Sequence, residues 1–164
     1  MDKRTKNMVI AAFVAALTCV ATMIIKIPSP FKGYLNLGDC VVLVAGWILP
    51  PASGFLAAGL GSALADLFSG YVVYVPATFL IKGVMAVTAN YGFRMLHKKI
   101  GGLTGKIVSG VAAEAVMVLG YYVFECFLYG AASSLVNIPA NAVQGIAGLV
   151  IGLMLMKGIE FSKM

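Results

Sequence analysis

Seven polar side chains stand out in this chain because nearly everything around them is apolar: Asp39, Asp66, Lys82, Glu125, Asn137, Asn141 and Gln144. Two kinds of chemistry are open to such a set. Carboxyl groups and an amine can exchange protons or pair with a ligand's charge. Amides both donate and accept hydrogen bonds, which suits the edge of a small polar heterocycle. Asn137, Asn141 and Gln144 are spaced i, i+4 and i+7, so in a helix all three amides share one face. Thr78 lies one helical turn from Lys82, and Tyr121 one turn from Glu125. Tyr71, Tyr74 and Phe79 offer stacking surfaces nearby.

These residues are embedded in a 164-residue chain that is 61% hydrophobic and 11% charged. Soluble domains carry roughly 25% charged residues, so an ordinary water-soluble fold is excluded. Six apolar segments are predicted to form helices, at about 7–26, 38–50, 52–69, 76–96, 104–128 and 137–157. The second is short for a hydrocarbon core of roughly 30 Å and ends at Pro50-Pro51, where Pro51 suits the first turn of the next helix. The expected fold is an all-α integral membrane protein of six transmembrane helices, forming one domain over residues 1–164. The apolar run after Met-Asp-Lys-Arg-Thr-Lys continues to about Ile25, so it reads as a retained first helix.

The basic residues give the orientation. Lys3, Arg4 and Lys6 precede the first segment, Arg94, Lys98, Lys99 and Lys106 surround the fourth connection, and Lys157 and Lys163 follow the sixth. With six crossings these nine positions share one side, which the positive-inside rule makes cytoplasmic. Both termini are then cytoplasmic. Asp39, Asp66, Lys82, Glu125 and the three amides fall in the outer half, where one bundle can gather them around an outward-facing pocket. Lys82 lies six residues after Pro76, or about 9 Å down its helix. Lys82 reads either as a ligand contact or as a partner of Asp66 or Glu125 that merely holds the helices together, since buried charges are commonly paired in either case. Glu114 lies toward the cytoplasmic half and reads as a structural or partner contact. The 27–37 connection, with two prolines, Gly33 and aromatic residues, reads as either a lid or a plain connector.

Several functions are excluded or left unsupported. There is no phosphate loop, no His-Glu-x-x-His motif, and no Ser/His/Asp set. His97, the single histidine, sits in the cytoplasmic basic run. Cys19, Cys40 and Cys126 have neither metal-ligand nor obvious disulfide spacing and read as small hydrophobes. No metal, cofactor or nucleic-acid site is expected. The net charge of +6 belongs to membrane-facing loops rather than to a nucleic-acid surface. The residues alone leave three readings open: a solute-binding transport subunit, an intramembrane enzyme using Asp66, Lys82 and Glu125, and a stand-alone carrier taking a proton on Glu125 or Asp66. Small residues at Ala11, Ala12, Ala15 and Ala16 permit close helix approach, as do Gly54, Ala57, Ala58, Gly61 and Ala65 and the later Gly145, Gly148 and Gly152.

Five strings in order carry a family resemblance over nearly the whole chain: Gly33-Tyr-Leu-Asn-Leu-Gly-Asp39, Gly61-Ser-Ala-Leu-Ala-Asp66-Leu-Phe-Ser-Gly-Tyr71, Pro76-Ala-Thr-Phe-Leu-Ile-Lys82-Gly, Tyr122-Val-Phe-Glu125 and Asn137-Ile-Pro-Ala-Asn141-Ala-Val-Gln144. The chain resembles the substrate-binding S components of energy-coupling factor (ECF) vitamin transporters, in the riboflavin-type branch. The resemblance implies a non-enzymatic, multi-pass protein of a prokaryotic plasma membrane that captures a vitamin or precursor from outside. A transmembrane coupling protein (T component) and two ABC ATPases would be its partners. It implies that Ala11/Ala15 and Ala12/Ala16 form the docking face for the T component and that the 27–37 loop gates the site. The expected substrate-binding residues are Asn36, Asp39, Asp66, Tyr74, Thr78, Lys82, Tyr121, Glu125, Asn137, Asn141 and Gln144. The expected ligand is a pyridoxine- or hydroxymethylpyrimidine-like compound, or riboflavin.

Overall fold

The computed structural model describes residues 2–28 and 34–162. Its elements are α1 (Lys3–Ile24), β1 (Lys26–Pro28), β2 (Tyr34–Asn36), α2 (Gly38–Ile48), α3 (Pro51–Phe68), α4 (Val75–Ile100), α5 (Gly102–Tyr129), the single turn α6 (Ala131–Ser134) and α7 (Ile138–Phe161). Short 3-10 turns at Val72–Tyr74 and Leu135–Asn137 lead into α4 and α7. All six predicted helices are present, as α1 to α5 and α7. The two strands pair antiparallel, Lys26 opposite Asn36 and Ile27 opposite Leu35. This hairpin was not expected, because three-residue strands show no usable alternation and a lone hairpin is marginal without a surface to dock on. Residues 29–33 of the predicted lid, including Lys32 and the Gly33 hinge, lie outside the described residues, as does Lys163.

α1, α3, α4, α5 and the stretch containing α6 and α7 are long and apolar enough to cross a membrane. Large apolar side chains such as Phe13, Leu56, Leu60, Leu119 and Phe127 point outward, toward the lipid. α2 differs. Its 11 residues span about 16 Å, and every residue from Gly38 to Trp47 is buried. It runs through the middle of the bundle, packed on α1, α3, α4 and α7. Val42, Leu43 and Trp47 join Met85 and Met117 in one apolar cluster, while Cys40, Val41 and Ala45 join Val14 and Ala57 in another.

A short helix that ends inside protein must have its last carbonyls satisfied there. Asn90 of α4 does this, its amide donating to the carbonyls of Gly46 (2.7 Å) and Leu49 (2.8 Å). Trp47 donates from its indole nitrogen to Ser109 Oγ at 3.1 Å. Pro51 opens α3 in its first turn, as predicted. At the opposite end of the bundle from the hairpin, Lys106 is buried. Its ammonium pairs with Glu160 and lies 5.6 Å from the Phe93 ring centroid. The three cysteines are free.

Candidate functional site

The ends of α1, α3 and α5 and the starts of α2, α4 and α7 meet at the hairpin. α3 stops there in a glycine-terminated cap. Gly70 takes φ 82°, its N–H bonds to the Leu67 carbonyl (3.2 Å), and the Tyr71 N–H reaches back to the Asp66 carbonyl (2.9 Å). This pattern is favoured at helix ends because glycine adopts the left-handed conformation without a Cβ clash. It keeps Tyr71 at the Asp66 end of α3, where both line the same cavity. The following 3-10 turn is closed by the Tyr74 N–H on the Tyr71 carbonyl (2.9 Å), which delivers Tyr74 to the same end.

The resulting cavity, of about 40 Å³, is lined by Tyr34, Asn36, Asp66, Tyr71, Tyr74, Thr78, Tyr121, Glu125, Asn141 and Gln144. That is room for a few water-sized molecules, less than a ring-sized ligand occupies. A larger hollow of about 450 Å³ lies at the other end, between Phe93, Leu103, Leu153 and Met154. Its lining is mainly apolar apart from Lys106, Lys157 and Glu160. The smaller cavity gathers tyrosines, carboxyl groups and amides from β2, α3, α4, α5 and α7, and on that convergence it is taken as the candidate.

Eight of the eleven expected residues line it: Asn36, Asp66, Tyr74, Thr78, Tyr121, Glu125, Asn141 and Gln144. The other three form its support. Lys82 and Asp39 make a buried ion pair, and Gln144 Nε2 donates to the other Asp39 oxygen at 2.6 Å. Asn137 Nδ2 donates to Glu125 Oε2 (3.0 Å), and the Tyr74 hydroxyl donates to Oε1 (3.3 Å). Thr78 and Tyr121 hydroxyls are 3.0 Å apart. The alternative in which Lys82 pairs with Asp66 or Glu125 is thus corrected: its partner is Asp39. The reason is that α2 is enclosed by the bundle and turns Asp39, 0% exposed, inward onto α4.

Tyr34 is the residue the sequence reading missed. Its hydroxyl donates to Asp66 Oδ1 at 2.7 Å, and its ring lies 4.8 Å from that of Tyr71. Burial, then the neighbouring Asp66 carboxylate, raise the Tyr34 phenol above its ordinary value, so it remains a donor at any physiological pH. The only signal was its place two residues before Asn36. The hairpin is held at two further points. Lys26 bonds Ser69 Oγ, and the backbone N–H of Asn36 donates to Gln144 Oε1 at 2.9 Å. Asn36 Oδ1 in turn accepts from the Gly38 N–H (2.8 Å), starting α2.

Glu114 is buried, with no hydrogen-bond partner for either carboxyl oxygen among the described residues. It abuts Gly145 and Gly148, where an added Cβ would lie 3.0 and 3.1 Å from its oxygens. On α1 the four alanines divide. Ala11 and Ala15 are partly buried against α2 and α3, whereas Ala12 and Ala16 are exposed.

An all-helical membrane bundle with a tyrosine-walled, carboxyl- and amide-bearing cavity under a hairpin defines the class: an integral membrane protein with an enclosed polar site. The chain belongs to the family described as "ECF-type riboflavin transporter, S component", whose model matches residues 2–160. It is 35% identical over 142 residues to an uncharacterised protein of the gap 3′ region of Pyrococcus woesei, covering 81% of this chain and 87% of that one. It is 26% identical over 162 residues to the thiamine precursor transporter HmpT of Lactococcus lactis, covering 97% and 90%. Among solved structures, an S component of a bacterial ECF transporter superposes with a TM-score of 0.78 at 25% identity, over 99% of this chain and 100% of that one. The fold is also shared with the S component for biotin of an ECF-type ABC transporter (TM-score 0.61, 19% identity, 96% and 95% covered). The protein is therefore a multi-pass component of the cell membrane, an ECF-type S component for a vitamin. The family is a transporter component and not an enzyme class.

Proposed function

We propose that the whole chain, residues 1–164, is a single substrate-binding domain with both termini cytoplasmic. In this reading it captures a pyridoxine- or hydroxymethylpyrimidine-like compound, or riboflavin, from outside the cell. A T component and two ABC ATPases then drive its uptake. The observation that carries the reading is the cavity at the hairpin end, where eight of the expected polar and aromatic residues converge. The thiamine precursor named for HmpT supports a compact heterocycle. Mass spectrometry of small molecules released from the purified protein tests this, the expected result being a vitamin or precursor. Uptake by vesicles containing this chain alone would overturn it in favour of a self-sufficient carrier.

The exposed Ala12 and Ala16 supply the proposed docking face for the T component. Close helix approach depends on small side chains, so Ala16→Trp is expected to abolish co-purification with the T component and to leave ligand capture intact. Undiminished co-purification would remove this face from the interface.

A further inference from the structure

We infer that the hollow at the end of the bundle opposite the hairpin is a binding site for one anionic phospholipid of the phosphatidylglycerol type. Lys157 and Lys106 take its phosphate, Glu160 takes its headgroup hydroxyls, and Leu103, Leu153 and Met154 take its upper acyl carbons.

The first ground is place. The hollow lies between α4, the start of α5 and the end of α7. α5 has 28 residues, about 42 Å, against a hydrocarbon core of roughly 30 Å. About one turn at each end therefore stands at headgroup level. Lys106 follows the start of α5 at Gly102 by about one turn, and Lys157 precedes the end of α7 at Phe161 by the same interval. Long lysine stems reach polar headgroups from such positions. Leu103 and Met154 are exposed on the outside of the bundle, so the hollow opens toward lipid. Its volume of about 450 Å³ falls in the range of about 300–1,000 Å³ that holds a small ligand. Apolar cavities stay dry, which leaves hydrocarbon as the filling for the mainly apolar part.

The second ground is charge. Among the described residues, the charged groups lining the hollow are Lys106, Lys157 and Glu160. Glu160 pairs with Lys106, and Lys157 has no ion-pair partner among the described residues. One positive charge is left over, and α4 adds Lys98 and Lys99 in its last turn at this end. A phosphodiester with a single negative charge balances it. Basic pockets between membrane helices bind anionic headgroups in this way, and in the orientation proposed above this is the cytoplasmic leaflet, where anionic lipids concentrate. A choline or ethanolamine headgroup brings its own cation and leaves Lys157 uncompensated.

The third ground is hydrogen-bond capacity. An ammonium has three N–H donors, and the bond from Lys106 to Glu160 Oε1 uses one of them. The others are available to phosphate oxygens. Glu160 is more than half exposed, and its second carboxyl oxygen can accept from a hydroxyl. A glycerol headgroup supplies that donor and a choline does not.

Native mass spectrometry of the full chain, released from vesicles of phosphatidylglycerol, phosphatidylethanolamine and phosphatidylcholine in equal parts, tests the inference. One phosphatidylglycerol should stay bound. Lys157→Ala should weaken its retention about fivefold, the worth of one lysine at an anionic surface. Lys99→Ala removes the same charge at the same end but outside the lining, and should cost less. Met154→Trp fills the hollow from its lipid side and should expel the lipid. Lys157, Lys99 and Met154 are all exposed, so these variants keep the fold, and no arm depends on what the hairpin end binds. Equal or tighter retention of either zwitterionic lipid overturns the inference, as do equal losses in Lys157→Ala and Lys99→Ala. Binding of soluble glycerophosphoglycerol as tight as that of the lipid also overturns it, in favour of a free phosphate ester. A dimer that survives removal of lipid and is broken by Met154→Trp would assign the hollow to a second copy of the chain instead.

Discussion

Lys82→Ala is expected to be the most damaging single substitution in this protein. The lysine is 3% exposed and its partner Asp39 0%, so water cannot replace the ammonium. Among the described residues, the Gln144 amide at 2.6 Å would be the one donor left to a carboxylate in the middle of the bundle. Removing one member of a buried ion pair costs about 3–5 kcal/mol because the other is left uncompensated. A marked fall in the thermal unfolding midpoint of the detergent-solubilised protein is the expected readout. The double variant Lys82→Met with Asp39→Leu provides the control. With both charges gone, much of the loss should be recovered, since apolar replacements of buried pairs are often neutral or better. A midpoint for Lys82→Ala equal to that of the unmodified protein would show that the pair holds nothing together.

Gln144→Ala should have the second largest effect, and on binding. One amide performs three tasks: it donates to Asp39, accepts the Asn36 backbone N–H, and lines the cavity. Each buried donor or acceptor left unmet costs about 1–3 kcal/mol. The hairpin strand loses its tie to α7 at the same time. A drop in ligand affinity of about 10- to 100-fold is expected, one factor of ten per 1.4 kcal/mol. Calorimetry with the molecule identified by mass spectrometry measures it. Gln144→Glu should be worse than alanine, because it sets a second carboxyl against Asp39. Equal affinity in both variants and the original would take the α7 amide face out of the site.

The sequence made the long elements readable because membrane helices advertise themselves through continuous apolar runs. Predicted 76–96 became Val75–Ile100, and predicted 104–128 became Gly102–Tyr129. The amide face of Asn137, Asn141 and Gln144 was readable for a similar reason, since spacing along one helix fixes direction. Relations between helices were less legible. Whether Lys82 finds Asp39, Asp66 or Glu125 depends on how α2 is rotated about its axis, and apart from Asp39 α2 is apolar all round. Nothing in its pattern favours one rotation. Tyr34 was invisible for another reason: its role comes from a strand pairing of three residues a side, stabilised by contacts with α3 and α7 rather than by local preference. The division of the α1 alanines likewise required α3. An alanine has no polarity to reveal its side, and only the approach of Gly61 to the Ala15 carbonyl separates inner from outer.

The brevity of α2 carries a consequence for parity. Five helices pass as spans by length, and an odd number of crossings would put the ends of α1 and α7 in different compartments. At about 16 Å, α2 escapes that count, yet it carries the chain from the hairpin end into the bundle, and Pro50-Pro51 turns it into α3. Whether it is tallied decides the sidedness assigned to every later loop. A periplasmic-type reporter enzyme fused ahead of α1 and another fused behind α7 should therefore give the same, silent, result. The same reporter placed in the loop after α3 should be active.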